Sequence, residues 1–213
     1  IAEVTAIDPG GKCITTAFGE KIVYDKLILA TGSSPAPPAL KGAELPGVFV
    51  LQKELPCLKN MQNYLAKARN LVIVGGGLSG VELAEACSTN PRLHVTIVEQ
   101  LPRCLARVFD EEFCILIEEK LRQRGVELIS ATAAEELQGQ HRVEQVRLTG
   151  GRTLPADMVV LATGAVPNTR LARQAGLATD EKSGILVDEY MRTSDTAIFA
   201  IGDCAAPNLL AAA

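Results

Sequence analysis

Leu71-Val72-Ile73-Val74-Gly75-Gly76-Gly77-Leu78-Ser79-Gly80 is the stretch from which the fold can be read. Four apolar residues, three of them β-branched, run straight into G-x-G-x-x-G, and a helix-forming segment, Val81 to Cys87, follows at once. Glycines are common in turns, so the spacing alone says little. A buried-strand pattern before it and a helix after it are the setting that a dinucleotide turn requires. In that setting Gly75 permits the tight turn, Gly77 lets the backbone approach a pyrophosphate, and Gly80 lets helix and strand pack closely. Leu78 and Ser79 complete the candidate contact loop. The free N–H groups and positive dipole at the helix start favour the diphosphate.

A second predicted strand, His94 to Val98, ends in Glu99, nineteen residues beyond Gly80. A carboxylate there can accept hydrogen bonds from an adenosine ribose hydroxyl. The same charge repels a 2′-phosphate, by about 4 kcal/mol at about 4 Å in an effective dielectric of about 20. Arg103 and Arg107 lie close enough in sequence to soften that penalty, so NADH over NADPH is read as a preference. The alternative is an ordinary glycine turn in an α/β protein, with Glu99 on the surface.

The chain has 213 residues, 47% of them hydrophobic, enough to bury one or two cores. A net charge of −4 offers no basic field for nucleic acid or an anionic membrane. The apolar runs fall short of the roughly 18 residues of a transmembrane helix, and no signal-peptide pattern is seen. The expectation is a soluble, cytoplasmic protein. Six cysteines (Cys13, Cys57, Cys87, Cys104, Cys114 and Cys204) form no C-x-x-C, so they are read as reduced structural thiols with neither a zinc knuckle nor a local redox pair. His94 and His141 are the only histidines, too few for a metal site or His-based catalysis, and Gly77-Leu78-Ser79-Gly80 misses the spacing of a nucleophile elbow.

From the N-terminus, Ile1 to Ile7, Lys12 to Phe18 and Lys21 to Tyr24 read as strands separated by Asp8-Pro9-Gly10-Gly11 and Gly19-Glu20 turns. Leu27 to Ala30 is short and wholly apolar, as in a buried parallel sheet. The proline-rich stretch from Ser33 to Gly47 reads as a linker, and Leu51 to Arg69 as a helix with an irregular start at Pro56. A helix follows Asp110-Glu111-Glu112, with Phe109, Phe113, Leu116, Ile117 and Leu121 as its apolar face. Its acidic start and its basic end at Lys120, Arg122 and Arg124 are read as solvated dipole complements, and Gly125 caps it. Val126 to Ile129 completes β-α-β-α-β. Ala131 to Leu137 and Arg142 to Leu148 then alternate as antiparallel strands, and Met158 to Ala162 is apolar again.

An internal repeat joins distant parts of the chain. Asp25 to Pro35 aligns with Asp157 to Pro167 at a constant offset of 132, and Asp, Leu, Ala, Thr, Gly and Pro recur at matching places. Two similar α/β units are implied, and only the second has its glycine fingerprint inside this chain. Near the end, the apolar run Ile198 to Ile201 terminates in Gly202-Asp203. A carboxylate beyond a strand's C-terminal end sits where open α/β sheets bind ligands. Asp203 can equally be the N-cap of a helix beginning at Ala205.

The order A-T-G (30–32), G-G-G-x-x-G (75–80), Glu99, A-T-G-x-x-P-N (162–168) and A-I-G-D (200–203) resembles the FAD-dependent pyridine nucleotide-disulphide oxidoreductases. It looks most like the branch holding NADH oxidases, ferredoxin and rubredoxin reductases, and nitrite reductase subunits. The resemblance implies an α/β protein in which a Rossmann-like NAD-binding domain, a parallel sheet plus an antiparallel β-meander, is inserted in the remnant of a second, FAD-binding Rossmann-like domain. The expected boundaries are 43–168 for the NAD domain, with 1–42 and 169–213 for the FAD remnant. By position, the resemblance puts Glu82 near the nicotinamide end, where the alternative is an exposed helix glutamate. It has Ala162, Thr163 and Gly164 border the nicotinamide, puts Thr31 and Gly32 near FAD with Gly202, and has Asp203 bond the flavin's ribityl chain.

Three departures accompany the resemblance. The family's first G-x-G-x-x-G, which holds the FAD diphosphate, would precede Ile1, and its C-terminal dimerisation domain would follow Pro207. Many members also carry an arginine where this chain has Ala165-Val166. The chain is therefore read as the middle of a larger flavoprotein that passes hydride from NADH to FAD and on to an unidentified acceptor. No residue within it is assigned a catalytic role. The implied partners are dinucleotides, with the parent a homo-oligomer or paired with an electron-acceptor protein. The competing reading is a non-catalytic NAD(H)-binding module.

Overall fold

A computed structural model describes residues 1–36, 38–52 and 54–207, which divide into two compact units. Pro35–Gly164 is one unit, and Ile1–Ser34 with the chain from Ala165 onward is the other. The first is thus an insertion in the second.

The inserted unit is built on a five-stranded parallel sheet in the order Val48–Val50, Met158–Leu161, Asn70–Val74, His94–Val98, Glu127–Ile129. Its apolar runs are continuous because both faces are covered. Alternate residues serve opposite sides. Leu71 and Ile73 pack with Val95, Ile97 and Met158 against residues of the helices Leu55–Leu65, Leu78–Ser88 and Glu111–Gln123. Val72 and Val74 pack with Val159 and Leu161 against Val146, Leu148 and Leu154 of a three-stranded antiparallel meander. Its strands are Ala134–Gln138, Gln145–Leu148 and Thr153–Pro155. Each fully buried Leu or Ile contributes about 1.5–3 kcal/mol. The Asp157 carboxylate accepts the N–H groups of Arg69 (3.0 Å) and Asn70 (2.9 Å) and the Asn70 amide (3.1 Å), which fixes the start of the Asn70–Val74 strand.

The other unit has an antiparallel sheet of Val4–Asp8, Cys13–Thr16 and Lys21–Val23, and a parallel pair, Leu27–Leu29 with Ile198–Ala200. Gly184–Val187 pairs antiparallel with Thr179–Asp180 and parallel with Ala205–Pro207. Ser33–Pro35 and Ala165–Pro167 form a two-stranded ribbon. Leu29, Ala172, Ile185, Val187, Ile198 and Cys204 share the core.

Three expectations are corrected. The units divide at 34/35 and 164/165 and not at 42/43 and 168/169, because the stretch read as a linker packs: Leu40, Ala43 and Leu45 join the meander core, and Lys41 and Pro46 carbonyls accept from Leu137 N and Val143 N. The helix Glu111–Gln123 turns Cys114, Glu118 and Leu121 inward, while Phe113 and Leu116 of the expected apolar face are each 57% exposed. Glu118, on that inward side, is met by three donors described below. Asp203 caps no helix: Gly202–Cys204 is a single 3₁₀ turn, and Ala205–Pro207 is drawn into a strand by Gly184–Val187. Among the described residues no helix is long and apolar enough to cross a membrane.

Candidate functional site

The Asn70–Val74 strand lies where the sheet reverses direction of growth: His94–Val98 follows on one side, and Met158–Leu161 arrives much later on the other. Crevices of open α/β sheets form beyond the C-terminal ends of strands at such a point. Gly75 follows the strand there, its N–H donating to the Val98 carbonyl at 2.9 Å. Its φ of +113° is one that side chains rarely adopt, and a Cβ would overlap the Ala162 carbonyl. The second A-T-G therefore backs directly onto the glycine turn. Gly80 closes the same packing from the helix, since a Cβ there would overlap the Gly75 carbonyl.

Gly77 differs from both. It is the N-cap of Leu78–Ser88 with φ −74° and ψ −176°, extended backbone open to any residue. A Cβ there would meet nothing within 4 Å. No side chain caps the helix, and no acid stands in its first turn. The N–H groups beginning at Leu78 and Ser79 are thus left with the positive end of the dipole. Glu82, one turn further on, is exposed.

Glu99 is not a surface glutamate. It is 8% exposed, with Oε2 accepting from Gly76 N at 2.6 Å and Oε1 from Leu101 N at 2.8 Å. An ionised carboxylate offers about four acceptor positions, so about two remain beside the turn. Gly76, silent in the G-x-G-x-x-G pattern, is as constrained as its neighbours. A Cβ there would lie 2.7 Å from Cys104 Sγ and 3.1 Å from Glu99 Oε2, and its carbonyl accepts from Leu105 N at 2.8 Å. Burial, then the Glu118 and Glu99 charges, push the Cys104 thiol up to about 12, so it stays protonated. Arg103, expected to soften repulsion of a phosphate, is held by Glu118, Nη1 to Oε2 3.2 Å. Arg107 is exposed.

Across the turn, Ala36 fixes the A-T-G end. Thr163 Oγ1 donates to the Ala36 carbonyl (3.0 Å), and Ala36 N donates to the Gly164 carbonyl (3.1 Å). Gly75, Gly77, Leu78, Ser79, Gly80, Glu99 and Ala162 are thus gathered at one sheet edge, with Thr163 and Gly164 continuing from it.

In the other unit, Thr31, Gly32, Gly202 and Asp203 follow the C-terminal ends of the parallel pair Leu27–Leu29 and Ile198–Ala200. Ser33 Oγ donates to Asp203 Oδ2 at 2.8 Å. Asn168, which the sequence reading included in a motif without a role, clamps the first A-T-G. Its amide donates to the Thr31 carbonyl (2.8 Å), its N–H to the Gly32 carbonyl (2.9 Å), and its own carbonyl accepts from Thr31 Oγ1 (2.7 Å). The repeat ends at Pro167, one residue short of Asn168, and gives no signal of this pairing.

The chain belongs to the pyridine nucleotide-disulphide oxidoreductase family, which it matches over residues 1–213. It is 37% identical over 204 residues to rubredoxin-NAD(+) reductase of Pseudomonas putida, covering 95% of this chain and 52% of that protein. Among solved structures, the ferredoxin reductase for the CYP199A2 system of Rhodopseudomonas palustris superposes with a TM-score of 0.90 at 34% identity, covering 97% of this chain and 50% of that one. The water-forming NADH oxidase of Lactobacillus brevis, solved bound to NADH, gives 0.83 at 29% identity, covering 95% and 45%. The chain thus spans about half the length of the relatives it matches. These likenesses are to Rossmann-like reductases, in keeping with the α/β fold expected from the sequence.

Proposed function

We propose that the inserted unit binds NADH and that the chain is the NAD-binding portion of an FAD-dependent oxidoreductase. The observation that carries this is Gly77. Nothing in its backbone conformation requires glycine and no neighbour stands within 4 Å. The room left by its absent side chain serves a group from outside the chain. At an uncapped helix N-terminus that group is an anion, and the pyrophosphate of a dinucleotide fits.

In this reading Gly75, Gly77, Leu78, Ser79 and Gly80 receive the pyrophosphate. Glu99 offers its remaining acceptor positions to the adenosine ribose and disfavours a 2′-phosphate. Glu82, Ala162, Thr163 and Gly164 border the nicotinamide. In the other unit, Thr31, Gly32, Gly202 and Asp203 face FAD. The Asp203 carboxylate, exposed and engaged by Ser33 through one oxygen, has the other for a ribityl hydroxyl. FAD, when bound, supplies the capacity to take hydride from NADH and deliver electrons onward, while the protein groups bind and orient. The name of the Pseudomonas putida relative is that of a reductase of rubredoxin. By analogy the whole protein delivers electrons to an acceptor outside its own flavin, as a homo-oligomer or paired with an electron-acceptor protein.

Calorimetric titration of the 213-residue chain with NADH and then NADPH, in one buffer, tests the binding half. Tighter binding of NADH, weakened by Glu99→Ala, is the expected result; binding of neither would overturn it. A longer protein carrying this chain that holds no flavin and oxidises no NADH would overturn the reductase half and leave a binding module.

A further inference from the structure

Glu118 stands in the middle of the helix Glu111–Gln123 with 1% of its side chain exposed. A carboxylate so enclosed is costly unless paired and hydrogen-bonded. Three donors meet it: Cys104 N on Oε1 at 3.0 Å, and Arg103 Nη1 and Arg122 Nη2 on Oε2, each at 3.2 Å. Two of these belong to the segment that leaves Glu99. That segment is tied at its other side to the glycine turn, through Leu105 N on the Gly76 carbonyl and through Cys104 Sγ, which shares with Glu99 Oε2 the space above Gly76. One buried carboxylate therefore fixes both the path of the 100–105 segment and the direction of its cation.

That direction matters because Arg103 is four residues from Glu99 and adjacent to Cys104, which lies against the same glycine as the Glu99 carboxylate. A guanidinium released there would no longer be committed to the helix and would offer a phosphate at the Glu99 end of the site a fork of N–H donors. Its other partner, Glu111 at 3.5 Å, is 73% exposed and holds it weakly.

We propose that Glu118 is a specificity-determining positioning residue: by drawing Arg103 toward the helix it keeps that cation off the adenosine 2′ position and sets the preference for NADH over NADPH. This rests on the NADH-site reading given above. The role belongs to the charge on Oε2, whereas Oε1 has a separable structural duty toward Cys104 N. In Glu118→Gln the amide carbonyl can keep the Cys104 bond, while the NH2 group turns toward Arg103 and Arg122 and repels them.

The test is titration of the 213-residue chain with NADH and NADPH at low and high salt, for the unmodified chain, E118Q, R103A and E118Q/R103A. For E118Q the expected result is NADPH affinity raised about two- to fivefold, the range an exposed ion pair supplies, with NADH affinity changed less than about twofold. The gain disappears at high salt and in E118Q/R103A, which a merely structural role for Glu118 would not produce. Should circular dichroism show E118Q unfolded, R103A decides. Its NADPH affinity stays at the unmodified level if Arg103 is already withdrawn, and a fall would overturn the proposal. Equal loss of both nucleotides in folded E118Q, or an unchanged ratio, overturns the role of Glu118 while leaving the NADH site standing. An unmodified chain that binds neither nucleotide overturns both.

Discussion

Replacing Gly76 by alanine sets a methyl group 2.7 Å from Cys104 Sγ and 3.1 Å from Glu99 Oε2. Gly76 is not among the glycines with positive φ, so the substitution probes packing without backbone strain. Neither neighbour yields easily. Cys104 is 1% exposed and its N–H is tied to Glu118, and Glu99 is held by two N–H groups, one of them that of Gly76 itself. Overpacking of this kind costs about 1–3 kcal/mol. Displacing the carboxylate from Gly76 N forfeits a charge-assisted bond of about 1.5–3 kcal/mol. The two losses overlap, and we expect Gly76→Ala to destabilise by about 2–4 kcal/mol. Cys104→Ala removes the sulphur that the methyl meets, at a cavity cost of its own. The double mutant should therefore be less destabilised than the sum of the two, with a coupling energy of about 1–2 kcal/mol. Urea midpoints at constant m-value give all four corners of the cycle. Additive effects, or a single-mutant loss below about 0.5 kcal/mol, would refute the contact between the glycine turn and the segment behind it.

Two further outcomes follow from charge and burial. Burial raises the Asp157 carboxyl, but bonds from Arg69 and Asn70 outweigh it and hold the group below its ordinary value. Its contribution is therefore complete above the unfolded carboxylate range, near pH 4, and is lost as pH falls through the lower folded value. Asp157→Asn should cost about 1–2 kcal/mol at pH 7 and flatten the decline in urea midpoint below about pH 4; parallel acid limbs in the two proteins would contradict this. Cys104, with its thiol pushed up to about 12 and its side chain enclosed, should escape iodoacetamide in the native chain at pH 8 and react only after unfolding. Peptide mapping that finds it alkylated without denaturant would be inconsistent with the site as described.

The strands Asn70–Val74 and His94–Val98 and the glycine turn between them were legible because both local pattern and sheet burial act on the same residues. The helix after Asp110 was legible in position and not in orientation. Periodicity selects Phe113 and Leu116 as the inner face by apolarity, yet the inner face holds Glu118, a choice made by donors on Arg103, Cys104 and Arg122 that no local pattern displays. The same holds at Ala205. Three residues compatible with a helix start become a strand because Gly184–Val187, some twenty residues away, supplies a ladder. The proline-rich stretch looked like a tether since it lacks periodicity, whereas its membership of the inserted unit comes from single contacts at Leu40, Lys41, Leu45 and Pro46. Within the candidate site, the glycines and Glu99 could be found by spacing. Cys104, Leu105 and Asn168 could not, because their parts are played through backbone groups of residues distant in sequence.

The two bonds of Ala36 to Thr163 and Gly164 bear on how the chain comes together during synthesis. Leu27–Leu29 leaves the ribosome long before its partner strand Ile198–Ala200, and an open loop of that size would have to be closed to pair them. The inserted unit needs nothing beyond Gly164 for its own sheet, so it can complete itself while the later residues are still being made. Once it has, Ala36 holds its two ends together, and some 130 residues of excursion count as a connection of a few. With a loop entropy of about 0.6 kcal/mol per doubling, shortening the connection from Leu29 to Ile198 about fourfold is worth roughly 1 kcal/mol to the strands that wait outside. The insertion thus acts as a clasp for the unit it interrupts.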